Sequence, residues 1–370
     1  MKKGIFCIII CLLMVLTVVF PNSATTSWNK TSQPLTMGTI LYVGGSGPNN
    51  YTKIQDAINE SKFGDTIYVY DDSSPYNEFI IINKTISLIG ENKNTTIIKG
   101  FNKIKQPIIQ ITANGVHLHG FTIQNGTYYS WPWEEYYAIA ISSNNNNISG
   151  NILTNNAGGI FIKNSSRNKI YENSINNGTY FCQAILLLYG GNNEIFNNCI
   201  TGVGNGVVIE DSSFNKIHEN SFSQIRFEGG VCIKNSKPDY FALCNKIYKN
   251  YVSRAINGIA LYSCKFNFIY LNEITNCSKY GVYRLTTSFT FIMENNFINN
   301  SCNAYFYANF FDMGITNQWR RNYWDDWSGS RYYTIHGATD PLMDPEGDPV
   351  PVQQYDKHPV KEPYDIPGMR

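Results

Sequence analysis

The chain has 370 residues, of which 15% are charged, and a net charge of +1. That balance gives no support to nucleic-acid binding or to electrostatic docking on an acidic membrane. The length suffices for one elongated domain.

Met1 to Lys3 followed by the apolar run from Gly4 to Phe20 and Pro21-Asn22-Ser23-Ala24 reads as an export signal, residues 1–24, with cleavage near Ala24. Retention as an anchor is the alternative, and an uncleaved segment would be the chain's one link to a membrane. Either way, the rest is expected outside the cytoplasm, secreted or on the cell surface. Residues 25–39 read as a flexible lead. Leu41-Tyr42-Val43 follows, and then Thr52 to Glu60 predicts a short amphipathic helix. There Thr52 and Gln55 match a capping box, while Ile54, Ala57 and Ile58 form an apolar stripe.

From about residue 40 to 327 the organising signal is a repeat. Its skeleton, an apolar residue, two variable residues, then Asn-x-apolar, is seen in Ile170-Tyr171-Glu172-Asn173-Ser174-Ile175. It returns at Asn151, Asn173, Asn198, Asn220, Asn250, Asn272, Asn295 and Asn322, in steps of 22, 25, 22, 30, 22, 23 and 27 residues. A floor near 22 with occasional insertions is what a coil of fixed circumference gives when loops are added at its corners. Apolar residues spaced at i and i+2 within each unit, as in Gly159-Ile160-Phe161-Ile162, specify strands. Short strands joined by one-residue corners, stacked on the coils above and below, make a parallel β-helix of about ten coils. Asn is expected at the corner because it tolerates left-handed dihedrals and its amide can bond to the next rung.

The segments Tyr51 to Glu60, Gly64-Asp65-Thr66-Ile67-Tyr68-Val69-Tyr70, Ile86 to Asn92, Thr95 to Gly100 and Gly120 to Asn125 resemble the opening of secreted right-handed parallel β-helix proteins of the NosD-like, pectin-lyase-like type, common in archaea. Asn322-Tyr323-Trp324-Asp325-Asp326-Trp327 is similar to the aromatic motif that closes such repeats. The resemblance implies an all-β, single-stranded right-handed parallel β-helix. Function is less constrained, because the superfamily spans polysaccharide lyases, glycoside hydrolases, adhesins and surface proteins of unassigned role.

Catalysis in that fold needs carboxylates on one outer face. The position before each corner Asn reads Gly150, Glu172, Asn197, Glu219, Lys249, Leu271, Glu294, Arg321, which places Glu219 beside Lys249 and Glu294 beside Arg321. Glu210 likewise falls beside Lys234. These read as ion pairs, and no catalytic residue is assigned. His117 and His119, i and i+2 on a strand, point to one face and are the candidate metal ligands, against a structural role. Asp340, Asp344, Glu346 and Asp348 cluster in the tail without the spacing of a calcium loop. No cofactor is expected.

The loop Asn125 to Tyr137 carries Tyr128, Tyr129, Trp131, Trp133, Tyr136 and Tyr137 beside Glu134 and Glu135. Flat rings with nearby acids suit sugar binding, and a loop folded back on the coil is the alternative. Eleven Asn-x-Ser/Thr sequons could accept glycans or arise from an Asn- and Ser-rich composition. Cys7 and Cys11 lie in the signal, so seven cysteines remain, with Cys244–Cys264 and Cys277–Cys302 as candidate bridges against buried free thiols. The outward row Ala140, Phe161, Leu186, Val208, Cys232, Ala260, Tyr283, Phe306 is apolar and therefore covered, with the Pro-rich tail, residues 328–370, as the favoured cover. Arg284 falls at an inward site, and Tyr305, Tyr307, Trp319, Tyr323, Trp324 and Trp327 are expected to form an aromatic C-terminal cap. The reading is a non-catalytic carbohydrate-binding or structural surface protein, with a glycan or another surface protein as partner. A polysaccharide lyase or hydrolase and a NosD-like copper-handling protein are the alternatives.

Overall fold

A computed structural model describes residues 38–101, 106–126, 137–237, 242–308, 317–339 and 349–366. Stacked parallel strands form a right-handed parallel β-helix, capped by one helix at its start and by an antiparallel hairpin at its end. Each coil has three strands where the repeat suggested two. In one coil these are Lys169–Tyr171, Ser174–Asn176 and Gln183–Leu188. They belong to a first, second and third sheet, each running the length of the solenoid.

The apolar positions stack into columns. Ile148, Ile170, Ile195, Ile217, Ile247, Ile269 and Ile292 follow one another in register up the first sheet, all fully buried. Removing such side chains from water is worth about 1.5–3 kcal/mol each, which is the main force holding coil on coil.

The asparagines pile up as the repeat requires. From Asn151 to Asn322, each Nδ2 donates to the Oδ1 of the next, at 2.9–3.1 Å. Their backbone is not left-handed, however. The residue before each takes that conformation, with φ of 53–59° at Gly150, Glu172, Asn197, Glu219, Lys249, Leu271, Glu294 and Arg321. The ladder position is thus selected for an inward amide, not for its tolerance of positive φ. A second ladder, five residues upstream, joins Asn146, Asn168, Asn193, Asn215, Asn245 and Asn267 at 2.9–3.2 Å. The same periodicity carries it in the sequence, as in Asn168-Lys169-Ile170-Tyr171-Glu172-Asn173, where the first asparagine of each pair forms the second ladder.

The N-terminal end is closed by helix Ile54–Glu60. The Thr52 capping box does not form: Lys53 is the N-cap and its side chain makes no capping bond. Glu78, from the next coil, accepts instead from Ile54 N at 2.9 Å and Gln55 N at 3.0 Å. The Gln55 amide meets Ile81, whose N–H donates to Gln55 Oε1 at 2.8 Å, so a side chain serves the strand edge as a further rung would.

At the other end the described residues of the tail form a lid on the bore, and among them none covers the outward row. Strand Tyr333–Thr339 pairs with Ala304–Ala308 as the next rung of the third sheet, and Pro351–Asp356 returns antiparallel to it. Trp324 stacks between Phe297 and Tyr333 at 4.4 and 4.1 Å, and Trp319 is buried beside it. Tyr305, Tyr307 and Tyr323 of the predicted cap are only half-buried. Arg284 is fully buried as expected, its Nη1 donating to Gln354 Oε1 of the hairpin at 3.0 Å. Phe306 pairs with Arg284 and faces inward, so Tyr305 takes its place in the outward row. Phe161, Leu186, Val208, Cys232 and Ala260 of that row are buried in a second apolar cluster with Tyr137 and Leu188.

Cys182, Cys199, Cys232, Cys264, Cys277 and Cys302 are free thiols, so neither candidate bridge forms. Cys244 N donates to Phe266 O, which puts Cys244 two residues out of register with Cys264. Cys277 N bonds to Asn300 Oδ1, which likewise offsets it from Cys302.

Candidate functional site

The corner between the second and third strands carries insertions, and they project aromatic rings. Tyr180, Phe181 and Phe227 are 50%, 53% and 39% exposed. Their rings meet edge to face with centroids 5.1, 5.8 and 5.4 Å apart. Exposing three such rings costs stabilisation that burial would have supplied, so a packing role does not account for them. Gly204 lets the inserted chain pass, since a Cβ there would lie 2.1 Å from Tyr180 O. Arg226 holds the segments together, Nη2 donating to Gly178 O at 2.6 Å and Gly202 O at 2.8 Å. Glu228 is fixed through its backbone, its N–H donating to Asn205 Oδ1 at 2.8 Å and its carbonyl accepting from Asn257 Nδ2 at 2.6 Å. The result is a braced, partly apolar platform beside a carboxylate and a guanidinium, a composition suited to sugar rings and their hydroxyls.

Of the aromatic loop singled out in the sequence, Tyr128, Tyr129, Trp131, Trp133, Glu134, Glu135 and Tyr136 lie outside the described residues. Tyr137 is buried, stacked on Phe161 at 5.0 Å, and its hydroxyl donates to Gln183 Oε1 at 2.6 Å. Gln183 is two residues from Phe181, so the end of that loop and the exposed platform share one side of the third sheet. The tail acids Asp340, Asp344, Glu346 and Asp348 also lie outside the described residues.

On the first sheet, Tyr171, Phe196, His218, Tyr248 and Tyr270 form an aromatic ladder with centroids 4.7–5.2 Å apart and planes within 4–10°. Their faces are covered by one another, which leaves only edges for a ligand. This column was legible too, at the position two before each ladder asparagine. His218 sits between two carboxylates, with Nε2 3.3 Å from Glu194 and Nδ1 3.4 Å from Glu219, the latter too poorly aligned for a hydrogen bond. The predicted ion pairs form: Glu219–Lys249 at 3.8 Å, Glu294–Arg321 at 3.4 Å and Glu210–Lys234 at 3.1 Å. Glu194 is also paired, with Lys216 at 3.8 Å.

His117 and His119 share one face, with ring centroids 5.8 Å apart. Both aim a nitrogen at Ser149 Oγ, at 3.4 and 3.2 Å. Gly150 makes room, since a Cβ there would lie 2.5 Å from His119 Cε1. Burial, with His119 nearby, holds the His117 pKa below the usual histidine value. Among the described residues no third His, Cys, Asp or Glu joins them, and no group of three such residues is placed to hold a metal ion. Burial pushes the Cys182, Cys264 and Cys277 thiols up to about 12, so they are not thiolate donors at neutral pH. Copper takes clustered soft sulfur ligands or a planar set of nitrogen and oxygen donors. The described residues fit neither.

A profile of the NosD family, described as periplasmic copper-binding protein, matches residues 58–254 and 230–329. Among solved structures, the chain is similar to the catalytic domain of a GH87 alpha-1,3-glucanase in complex with nigerose. Identity there is 13% over 79% of this chain and 59% of that one, with a TM-score of 0.56. A variant of that domain, also with nigerose, matches at 13% identity over 77% and 58% of the two chains, with a TM-score of 0.55. The A-module of a mannuronan C-5 epimerase from Azotobacter vinelandii matches at 12% identity over 73% and 87%, with a TM-score of 0.47. No curated relative matches. At 13% identity the likeness to the glucanase domain shows a shared fold alone, and this chain spans 59% of the glucanase chain's length.

Proposed function

The chain belongs to the NosD family, and from that premise we propose that it is an extracytoplasmic β-helix that binds carbohydrate at an aromatic corner without cleaving it. The family's description as periplasmic and the apolar run at residues 4–20 support the location. Among the described residues no helix is long and apolar enough to cross a membrane.

The observation that carries the binding role is the Tyr180, Phe181 and Phe227 cluster, exposed and braced by Arg226. Against cleavage stands the pairing of Glu194, Glu210, Glu219 and Glu294 with lysine or arginine. The enzyme reading keeps one favourable feature, His218 between Glu194 and Glu219, although that imidazole is stacked between Phe196 and Tyr248. A resident copper ion is not part of the proposal, because the described donor set does not suit one.

A polysaccharide array scored for both retention and chain shortening tests this. Retention without shortening, lost in Tyr180→Ala/Phe227→Ala, is the expected result. Shortening would establish an enzyme, and retention indifferent to the double variant would move the site elsewhere.

A further inference from the structure

The Tyr180 and Phe227 rings come from coils on either side of the one that carries Gly204, and they meet across a residue with no side chain to part them. Backbone bonds at that corner run on in the same direction. Phe227 N donates to Gly204 O at 2.9 Å, and Lys279 N donates to Ile256 O at 3.0 Å. Between these, Ile225 pairs with Ala255 and Gly229 with Asn257, so Arg226, Phe227 and Glu228 stand opposite Ile256 alone. A bulge of this kind re-aims its side chains, and here it leaves Phe227 exposed. Tyr180, Gly204, Phe227, Ile256 and Lys279 thus mark one corner of successive coils over about 19 Å, at the spacing of parallel strands.

The column stays partly apolar beyond the rings. Ile256 is half-buried, and exposed Lys279 carries its Nζ over the Tyr280 ring at 5.3 Å, which lays its aliphatic stem along the surface. A polar column runs beside it, two or three residues earlier in each coil. Asn177, Gln224, Arg254 and Asn276 are all exposed and take left-handed turns, with φ of 51–54°. That backbone favours Gly and Asn, so the turn alone does not account for Gln224 and Arg254.

We infer that the corner is a track for an extended linear glycan lying along the solenoid axis, with about one sugar unit to each rung. Sugar faces rest on Phe227, Ile256 and the Lys279 stem, and hydroxyls bond to Gln224, Arg254 and Asn276. The strand spacing is close to the advance of one pyranose in an extended β-1,4-linked chain, whereas a curled α-1,4-linked chain leaves such a column after a few units. The track rests on the carbohydrate reading of the Tyr180 cluster and adds to it the conformational class of the glycan.

Full-length protein is titrated calorimetrically with cellobiose, cellotetraose and cellohexaose, with the matching xylo-oligosaccharides, and with maltose and maltohexaose. In at least one extended series, affinity rises about tenfold or more from disaccharide to hexasaccharide as further rungs are engaged, while maltohexaose gains little over maltose. Lys279→Ser/Gln224→Ala, on exposed side chains, removes most of that gain and leaves the disaccharide unchanged. Phe227→Ala weakens every length. Lys265→Ser, exposed at the corner between the third and first sheets, changes none. Equal affinity at all lengths overturns the track but leaves the ring cluster as a binding site, whereas loss of all retention on the polysaccharide array overturns both. Absence of binding in both extended series, a length gain indifferent to Lys279→Ser/Gln224→Ala, or maltohexaose bound as tightly as the extended hexasaccharides also overturns the track.

Discussion

Asn322 Nδ2 donates to Asp356 Oδ2 at 3.0 Å, and that carboxylate ends the asparagine ladder. Every amide of the ladder passes its donor to the next coil, so the last coil is left with N–H groups and no coil to receive them. Asp356 takes Asn322 N and Nδ2, Trp324 Nε1 and Arg321 N together, from a fully buried position. Asp356→Ala strips all of these donors of their acceptor. It is expected to cost about 2–4 kcal/mol, with Asp356→Asn losing less because one acceptor oxygen remains. Urea unfolding of the three proteins measures the order.

Within the ladder, Asn220 is both acceptor and donor. Its Oδ1 accepts from Asn198 N and Nδ2, and its Nδ2 donates to Ile195 O, His218 O and Asn250 Oδ1. Asn220→Asp, nearly isosteric, points an oxygen at three acceptors and is expected to destabilise more than Asn220→Ala. A smaller loss for the aspartate would show that shape, not the amide, is what the coil reads.

At the N-terminal cap, Glu78→Ala removes the acceptor of Ile54 N and Gln55 N. A loss of about 1 kcal/mol is expected, as for other helix caps, and amide exchange should speed up in residues 54–60 before the coils are affected.

Arg226 braces Gly178 and Gly202 beneath the exposed rings. Arg226→Ala should therefore weaken glycan retention several-fold, through loss of pre-organisation, with a thermal midpoint close to wild type. An unchanged affinity would mean that the three rings do not act as one platform.

His117 has its pKa lowered, chiefly by burial. A base that resists protonation in the folded state adds stability that is present above the unfolded-state value, near 6.5, and is lost as the pH falls through the folded value. The thermal midpoint of wild type should thus fall between about pH 7 and pH 5 more steeply than that of His117→Gln. Parallel curves would remove His117 from the acid sensitivity.

Five Asn-x-Ser/Thr asparagines, Asn125, Asn164, Asn177, Asn276 and Asn299, hold left-handed turns. The fold thus has its own use for these residues, quite apart from any glycan.

The sequence by itself determined the solenoid. A coil repeats its environment on every circuit, so Ile170, Asn173 and their equivalents recur at a readable spacing, and the ion pairs Glu219–Lys249 and Glu294–Arg321 follow from register alone. Only the tertiary structure decided what happens where the repeat breaks. Glu78 reaching the helix, Asp356 and Gln354 closing the bore, and Arg226 gathering the Tyr180 and Phe227 segments each join residues that no period relates. Such contacts depend on where an insertion or a chain end lands on the finished surface, and a repeating pattern carries no information about that.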